Sequence, residues 1–442
     1  MQKENNFLSI LKSEMILALG CTEPISIAYA ASKARDVLGV FPEKINVTCS
    51  GNIVKNVKGV TVPNSGGLKG IDIAAVLGVV AGNSKLELEV LSNIEADDIS
   101  KANKLIEEGF FSFNLNENVE NLYIKATVYS NNHSAEVTIL NQHTFISEIK
   151  YDNEIIYRNN SIDYGNRTID KSTLNVKDIL EFADSVKLSE IEELIQKQIK
   201  YNSNIANEGI NNCYGASVGK TLIDLFGNSI EVRAKAKAAA GSDARMGGCP
   251  LPVVIISGSG NQGMTVSIPV IEYAHEYNVD TEKLLRSLVV ANLLAIHIKR
   301  FIGRLSAFCG AVSAACGAGA AITYMSGGDF EKVSMTITNI LANVSGIICD
   351  GAKPSCAAKI ASAVDAAILA HNMSMRGLTF QSGDGIVKDN IEETIQSIGH
   401  VARVGMKDTD KEILNIMIGK VSLGESSIGY FNYDDNLISS CN

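Results

Sequence analysis

Three cysteines in this chain are placed where a metal centre could form. Cys309 and Cys349 lie forty residues apart in the Ala/Gly-rich C-terminal half, within AFCGAVSAACGAG and GIICDGAKPSCAAK, and Cys21 opens the N-terminal stretch GCTEP. In a composition of cytosolic character such thiols suit metal ligation better than disulfides. The chain has 9 cysteines, an odd number without regular spacing and without a CxxC pair, so neither a disulfide framework nor zinc-finger or ferredoxin spacing is met. An isolated Cys on an Ala-rich helix is also a small buried hydrophobe, and Cys49, Cys213, Cys249 and Cys441 keep that reading. Cys316 and Cys356 repeat the forty-residue interval seven positions further on, so spacing leaves either pair open as ligands.

Two polar segments could hold a substrate near such a centre. PVVIISGSGNQGMTVSIP sets Ser257, Ser259, Asn261 and Gln262 in a Gly-rich turn after an apolar run. Successive backbone N–H groups there, with hydroxyl and amide donors, make a nest for a carboxylate or phosphate; a tight connection between helices would read the same. No acidic residue in a strand follows about 20 residues on, so the dinucleotide fingerprint is not met. SGNIVKNVKGVTVPN gathers Asn52, Lys55, Asn56 and Lys58 in a second polar loop, which an exposed basic turn would also explain. HIKRFIGR carries His297 and Lys299 ahead of Cys309. Either could take a proton, Lys299 if burial lowers its pKa and His297 with a smaller shift; a solvated helix end bears the same charges.

The elements that must position these residues change character along the chain. Helical spacing over 7–39 is interrupted at GCTEP, where Thr22 and Pro24 read as the opening of a helix with Cys21 just before it. The positive end of that helix would favour a thiolate. Residues 44–70 read as short strands and loops, and helix returns over 70–82. A helix at 96–109 followed by period-two runs, with Asn131-Asn132 and Asp152-Asn153 as turns, reads as an inserted α+β layer. After a polar linker over 159–175 the chain becomes almost wholly helical and rich in Ala, Gly and Ser. The fold class is therefore mostly α with an inserted α+β layer and an Ala/Gly-rich helical catalytic domain. Its divisions are an N-terminal helical and loop part of the catalytic domain (1–85), an inserted α+β subdomain (86–160) and a helical catalytic domain (176–442).

Composition narrows the function. With 442 residues, 46% hydrophobic and 20% charged, the chain can bury a large core. A net charge of −10 with scattered Lys and Arg gives no basic face, so no nucleic-acid partner is expected. The apolar runs fall short of the roughly 20 residues that span a bilayer, and MQKENNFLSILKSEM has no signal-peptide core. The expectation is a cytoplasmic protein with a small-molecule partner, no membrane partner, and room for a homo-oligomer.

The segments GCTEP, SGNIVKN, SDARMGG, SGSGNQG, CDGAKPSC and FQSGDGIV, in this order and over nearly the whole chain, resemble the L-cysteine desulfidase family, a serine dehydratase-like group of bacterial proteins. More distantly the chain is similar to the iron–sulfur L-serine dehydratases, whose substrate-carboxylate loop PVVIISGSGNQGMTVSIP resembles. The resemblance implies a 4Fe-4S cluster with one open iron site and no PLP, held by Cys21, Cys309 and Cys349. It also implies a carbon–sulfur lyase that takes L-cysteine by α,β-elimination to sulfide, ammonia and pyruvate. In that reading Ser257, Ser259, Asn261, Gln262, Asn52 and Lys55 bind substrate, and Lys299 or else His297 takes the α-proton. The alternatives are an L-serine dehydratase and a non-catalytic iron–sulfur protein that binds amino acids.

Overall fold

The computed structural model describes residues 2–159, 169–303 and 305–421. Cys441 and most of the expected linker lie outside the described residues. The N-terminal stretch forms α1 (Gln2–Glu14), β1 (Ile16–Leu19), α2 (Thr22–Leu38), β2 (Lys44–Ser50), α3 (Gly51–Val57) and α4 (Ile71–Ala81). Then come α5 (Ala96–Glu107), β3 (Phe111–Asn116), β4 (Tyr123–Ser130), β5 (His133–Leu140), β6 (Ile146–Tyr151) and β7 (Glu154–Arg158). The rest is α6 (Val176–Ser185), α7 (Leu188–Asn211), α8 (Val218–Phe226), α9 (Ile230–Met246), β8 (Pro252–Ile255), α10 (Gly260–Glu276), α11 (Thr281–Ile302), α12 (Gly310–Met325), α13 (Phe330–Val344), α14 (Cys356–Met375), α15 (Ile391–His400) and α16 (Lys407–Met417). The protein is mostly α-helical with an inserted α+β layer.

The layer is a mixed sheet in the order β3-β2-β4-β5-β6-β7, with β2 and β3 parallel and the remaining pairs antiparallel. Alternation in β4 buries Ile124, Ala126 and Val128, and β5 answers with Ala135, Val137 and Ile139. Asp152 and Asn153 both take positive φ, 48° and 68°, as the tight turn between β6 and β7 requires. The segment after β2, expected as strand and loop, departs from that reading. Ser50 ends the strand in an extended conformation, and Ile53, Val54 and Val57 turn one helical face inward, so Gly51–Val57 is helix α3.

Small residues explain how the bundle packs. A Cβ on Gly317 of α12 would stand 2.3 Å from the Ala291 carbonyl oxygen of α11, and one on Gly209 of α7 would stand 2.0 Å from that of Ala240 in α9. Only glycine lets these backbones touch. The N-terminal and C-terminal stretches are joined by the antiparallel pair β1 and β8, Ile16 opposite Ile255 and Leu19 opposite Pro252. Asn202 of α7 sits behind β8: its Nδ2 donates to the carbonyls of Val254 and Gly263, each at 3.2 Å, and to Ser267 Oγ at 3.1 Å. Its Oδ1 accepts from Val254 N at 2.8 Å, so one buried amide fixes both ends of the connection from β8 into α10.

Candidate functional site

A cavity of about 100 Å³ opens where the N-terminal stretch, the sheet layer and the bundle meet. Cys21, Cys309, Cys349 and Cys356 all line it, with Ser257, Ser259, Asn261, Gln262, Lys55 and Lys299. Backbone geometry gathers them. Cys21 is the N-cap of α2 and Cys309 the N-cap of α12, neither using its side chain as a cap; Ser259 caps α10 and Cys356 opens α14. The positive ends of four helices thus face one space, which favours anions there. Cys309 and Cys349 are set side by side by an isolated bridge between Phe308 and Ile348, with Cys309 N on the Ile347 carbonyl at 3.0 Å and Cys349 N on that of Ala307 at 2.6 Å. Across the cavity, Thr22 Oγ1 donates to the Gly258 carbonyl at 3.0 Å and ties the Cys21 turn to the Ser257–Ser259 turn.

Sequence spacing left two cysteine pairs open, and the structure separates their members. Cys316 is fully buried within α12 and does not line the cavity; Cys356 does, its thiol donating to the Gly351 carbonyl at 3.6 Å. Burial pushes the Cys309 thiol up to about 12, with Cys349 adding to the effect, and burial followed by Glu23 raises Cys21. Thiols in that condition are protonated, and ligation exchanges the proton for metal. Among the described residues no three His, Cys, Asp or Glu side chains gather closely enough to grip a single ion. Ligands on different irons of a cluster stand further apart than ligands sharing one ion, and thiolate donors suit iron–sulfur clusters. Soft donors spread round one cavity fit such a cluster.

The other residues singled out in the sequence divide. Lys299, on the last turns of α11, is 5% exposed and lines the cavity. His297, two residues earlier, faces away: it is fully buried, its Nε2 lies 2.7 Å from Glu392 Oε2, and its ring meets Phe301 edge-on. Burial lowers its pKa, against the pull of Glu392. Lys55 reaches the cavity wall with Nζ 2.5 Å from Asp410 Oδ1 of α16, while Asn52 donates to the other oxygen at 2.9 Å and lines the adjoining polar cleft.

Three residues missed in the sequence, Glu23, His143 and Arg245, also line the cavity, as does Asn56 of the second polar loop. Glu23 accepts from the Cys21 thiol and from Thr22 Oγ1, both at 3.1 Å. Burial opposes its charge, yet His143, the Cys21 thiol and Arg245 hold it at about 2. His143 enters from the β5–β6 turn; its Nε2 is 3.7 Å from Glu23 Oε1, beyond hydrogen-bond length, and is buried without a partner. Glu23 and Arg245 stand inside GCTEP and SDARMGG, where the motif itself was a signal. Nothing in the strand pattern marks His143.

Known proteins are similar to this chain over nearly its whole length. It is 50% identical over 411 residues to a UPF0597 protein of Lachnoclostridium phytofermentans, covering 93% of this chain and 99% of that one. It is 51% identical over 416 residues to the UPF0597 protein of Finegoldia magna, covering 94% and 100%, and 45% identical over 425 residues to that of Treponema denticola, covering 94% and 98%. Residues 85–415, which carry the Ser257–Ser259 turn and every cavity thiol but Cys21, match the family model described as serine dehydratase alpha chain. The cavity is therefore built largely from the matched segment, and the chain belongs to the serine dehydratase alpha chain family.

Proposed function

We propose that this protein is a PLP-independent iron–sulfur cysteine lyase that converts L-cysteine to sulfide, ammonia and pyruvate. The observation that carries the reading is the meeting of Cys21, from one end of the chain, with Cys309 and Cys349 on the cavity that also presents the Ser257–Gln262 turn. Cys21, Cys309 and Cys349 would hold a 4Fe-4S cluster with one open iron site, which when bound supplies a Lewis acid for the substrate's carboxylate and departing sulfur. The protein's own groups do the rest. Ser257, Ser259, Asn261 and Gln262, at the positive end of α10, hold the substrate's carboxylate or amino group, with Lys55 at the outer wall and Asn52 behind it in the adjoining cleft, where both hold Asp410. Lys299 Nζ takes the α-proton; the Cα–H and Cβ–S bonds break, the Cα–Cβ double bond forms, and sulfide leaves. The aminoacrylate released tautomerises and is hydrolysed by water to pyruvate and ammonia. His297, held by Glu392 on the far side of α11, acts only through the position of that helix.

The test is anaerobic reconstitution with iron and sulfide, followed by assay of sulfide and pyruvate from L-cysteine and of pyruvate from L-serine. Brown protein that releases both products from cysteine is expected. Serine turnover far above cysteine turnover would make it a dehydratase, the reading its family model favours. Colourless, inactive protein would overturn the cluster-dependent reading.

A further inference from the structure

One buried charge on the cavity has no role in that scheme. Arg245, near the end of α9, is 2% exposed and lines the cavity. Among the described residues its guanidinium makes one hydrogen bond, Nη1 to Asn261 Oδ1 at 3.2 Å, and its Nε is buried with no partner. A guanidinium offers five N–H donors in a planar fork, so most of this one is not used by the protein's own acceptors. Burying an ionised group in that condition is costly unless a partner arrives.

Its surroundings select the partner's charge. The group lies against the turn that opens α10: a Cβ on Gly260 would stand 2.3 Å from Arg245 Nε and 2.8 Å from Cζ. A cation is thus packed against the positive end of a helix, an arrangement that an anion between them would stabilise. Lys55 and Lys299 also line the cavity; Glu23, its only carboxylate among the described residues, feels the charge of Arg245 but takes its hydrogen bonds from Cys21 and Thr22, not from the guanidinium. The space, about 100 Å³, is of the size class that admits a ligand of about half a dozen heavy atoms.

We propose that Arg245 is the anchor for the α-carboxylate of a small amino acid, and that it sets the requirement for a free carboxylate. The planar fork matches a carboxylate edge, Asn261 accepts from one arm of the fork, and Ser257 and Ser259 on the adjoining turn offer further hydroxyl donors. The inference rests on the amino-acid lyase reading only for the ligand's class, and its test is independent of turnover.

The ligand for that test is L-alanine, which has no β-leaving group and so cannot be consumed, compared with L-alaninamide, which lacks only the negative charge. Calorimetric titration of the reconstituted protein is expected to show alanine bound more tightly than its amide by on the order of 100-fold, the value of a charge-assisted contact. In Arg245→Gln, which keeps an amide facing Asn261, and in Arg245→Met, the two ligands are expected to bind alike. Melting temperature supplies a reading that a merely structural role would move differently: loss of a mostly unpaired buried cation is expected to leave it unchanged or raise it. Equal binding of acid and amide by the wild type, no saturable alanine binding, or discrimination that survives in either variant would overturn the proposal. If alanine discrimination follows Arg245 while cysteine and serine both fail as substrates, the lyase reading falls and the anchor stands.

Discussion

The cavity and the bundle core behind it treat buried polar groups in opposite ways, although the same helices run through both. In the core, Gln198 and Asn292 exchange hydrogen bonds at 2.9 and 2.8 Å, Asn202 uses both ends of its amide, and Thr323 links Thr336 to His371. At the cavity, Arg245 Nε and His143 Nε2 are buried without hydrogen-bond partners; Ser242 Oγ and Asp243 Oδ1, on the turn of α9 leading to Arg245 but not on the cavity lining, lack them too. His297 Nδ1 and Arg300 Nε are orphans elsewhere on α11. Satisfied polar groups specify a unique packing, whereas a group left without its partner is a cost that folding alone would remove. The contrast marks where the molecule gives up stability for binding. Substitutions at the cavity should therefore cost activity while sparing stability, and those in the core should cost stability, with activity affected only where the core group also holds a cavity turn.

The sharpest way to break that contrast is to exchange thiols along one helix. Cys309→Ala at the cavity end of α12 is expected to abolish the visible absorbance of reconstituted protein and its turnover. Cys316→Ala, two turns into the core, is expected to keep both, since that thiol does not reach the cavity. Absorbance of the two variants after identical reconstitution decides it; colour lost from Cys316→Ala and kept in Cys309→Ala would reverse the assignment. Next in size is Lys299→Ala, for which kcat should fall on the order of 100- to 10,000-fold, as for loss of a general base, with absorbance retained. Unchanged kcat in a coloured variant would remove Lys299 from the mechanism.

Core substitutions supply the opposite arm. Asn202→Ala leaves Val254 N without its acceptor and Ser267 Oγ without a donor, and should cost about 3 kcal/mol of unfolding free energy in urea. Turnover is expected to suffer as well, because Asn202 fixes the connection that carries Ser257 and Ser259. A variant as stable as the wild type would mean that the core amide is not what holds the turn.

How much of this was legible in the sequence follows the same division. Helix α2 opening after Cys21, the hairpin at Asp152-Asn153 and the Ala/Gly-rich bundle are local facts, written in caps, turn residues and small-residue spacing. The gathering of Cys21, Cys309 and Cys349 on one cavity is not local, and only the motif order suggested it. His143 could not be found at all: a lone histidine in a polar turn between strands reads as surface until the sheet is docked against α2. His297 misled for the converse reason. Two residues from Lys299 on a helix means opposite faces, and the partner that claims it, Glu392, is remote in sequence.

The smallest expected effect concerns the core end of α14, whose other end carries Cys356. His371 is 8% exposed, accepts or donates at 3.0 Å to Thr323 Oγ1, and meets the Tyr273 ring edge-on; with no carboxylate partner among the contacts it makes, burial lowers its pKa to about 4. The unfolded chain, with histidine near 6.5, binds this proton more readily than the folded one. Its contribution to stability is therefore complete above pH 6.5, declines as pH falls through the window from about 6.5 to about 4, and is lost below it. Between pH 7 and pH 5 the loss should be about 2 kcal/mol. Asp243, raised by burial to about 6, works the other way over the same window, so the wild-type curve is the sum of two opposed slopes. Comparison with His371→Gln isolates one of them. The difference in unfolding free energy between wild type and variant should shrink by that amount on acidification from pH 7 to pH 5. A difference that stays constant would show that His371 takes up its proton without cost, and the core would then tolerate charge as the cavity does.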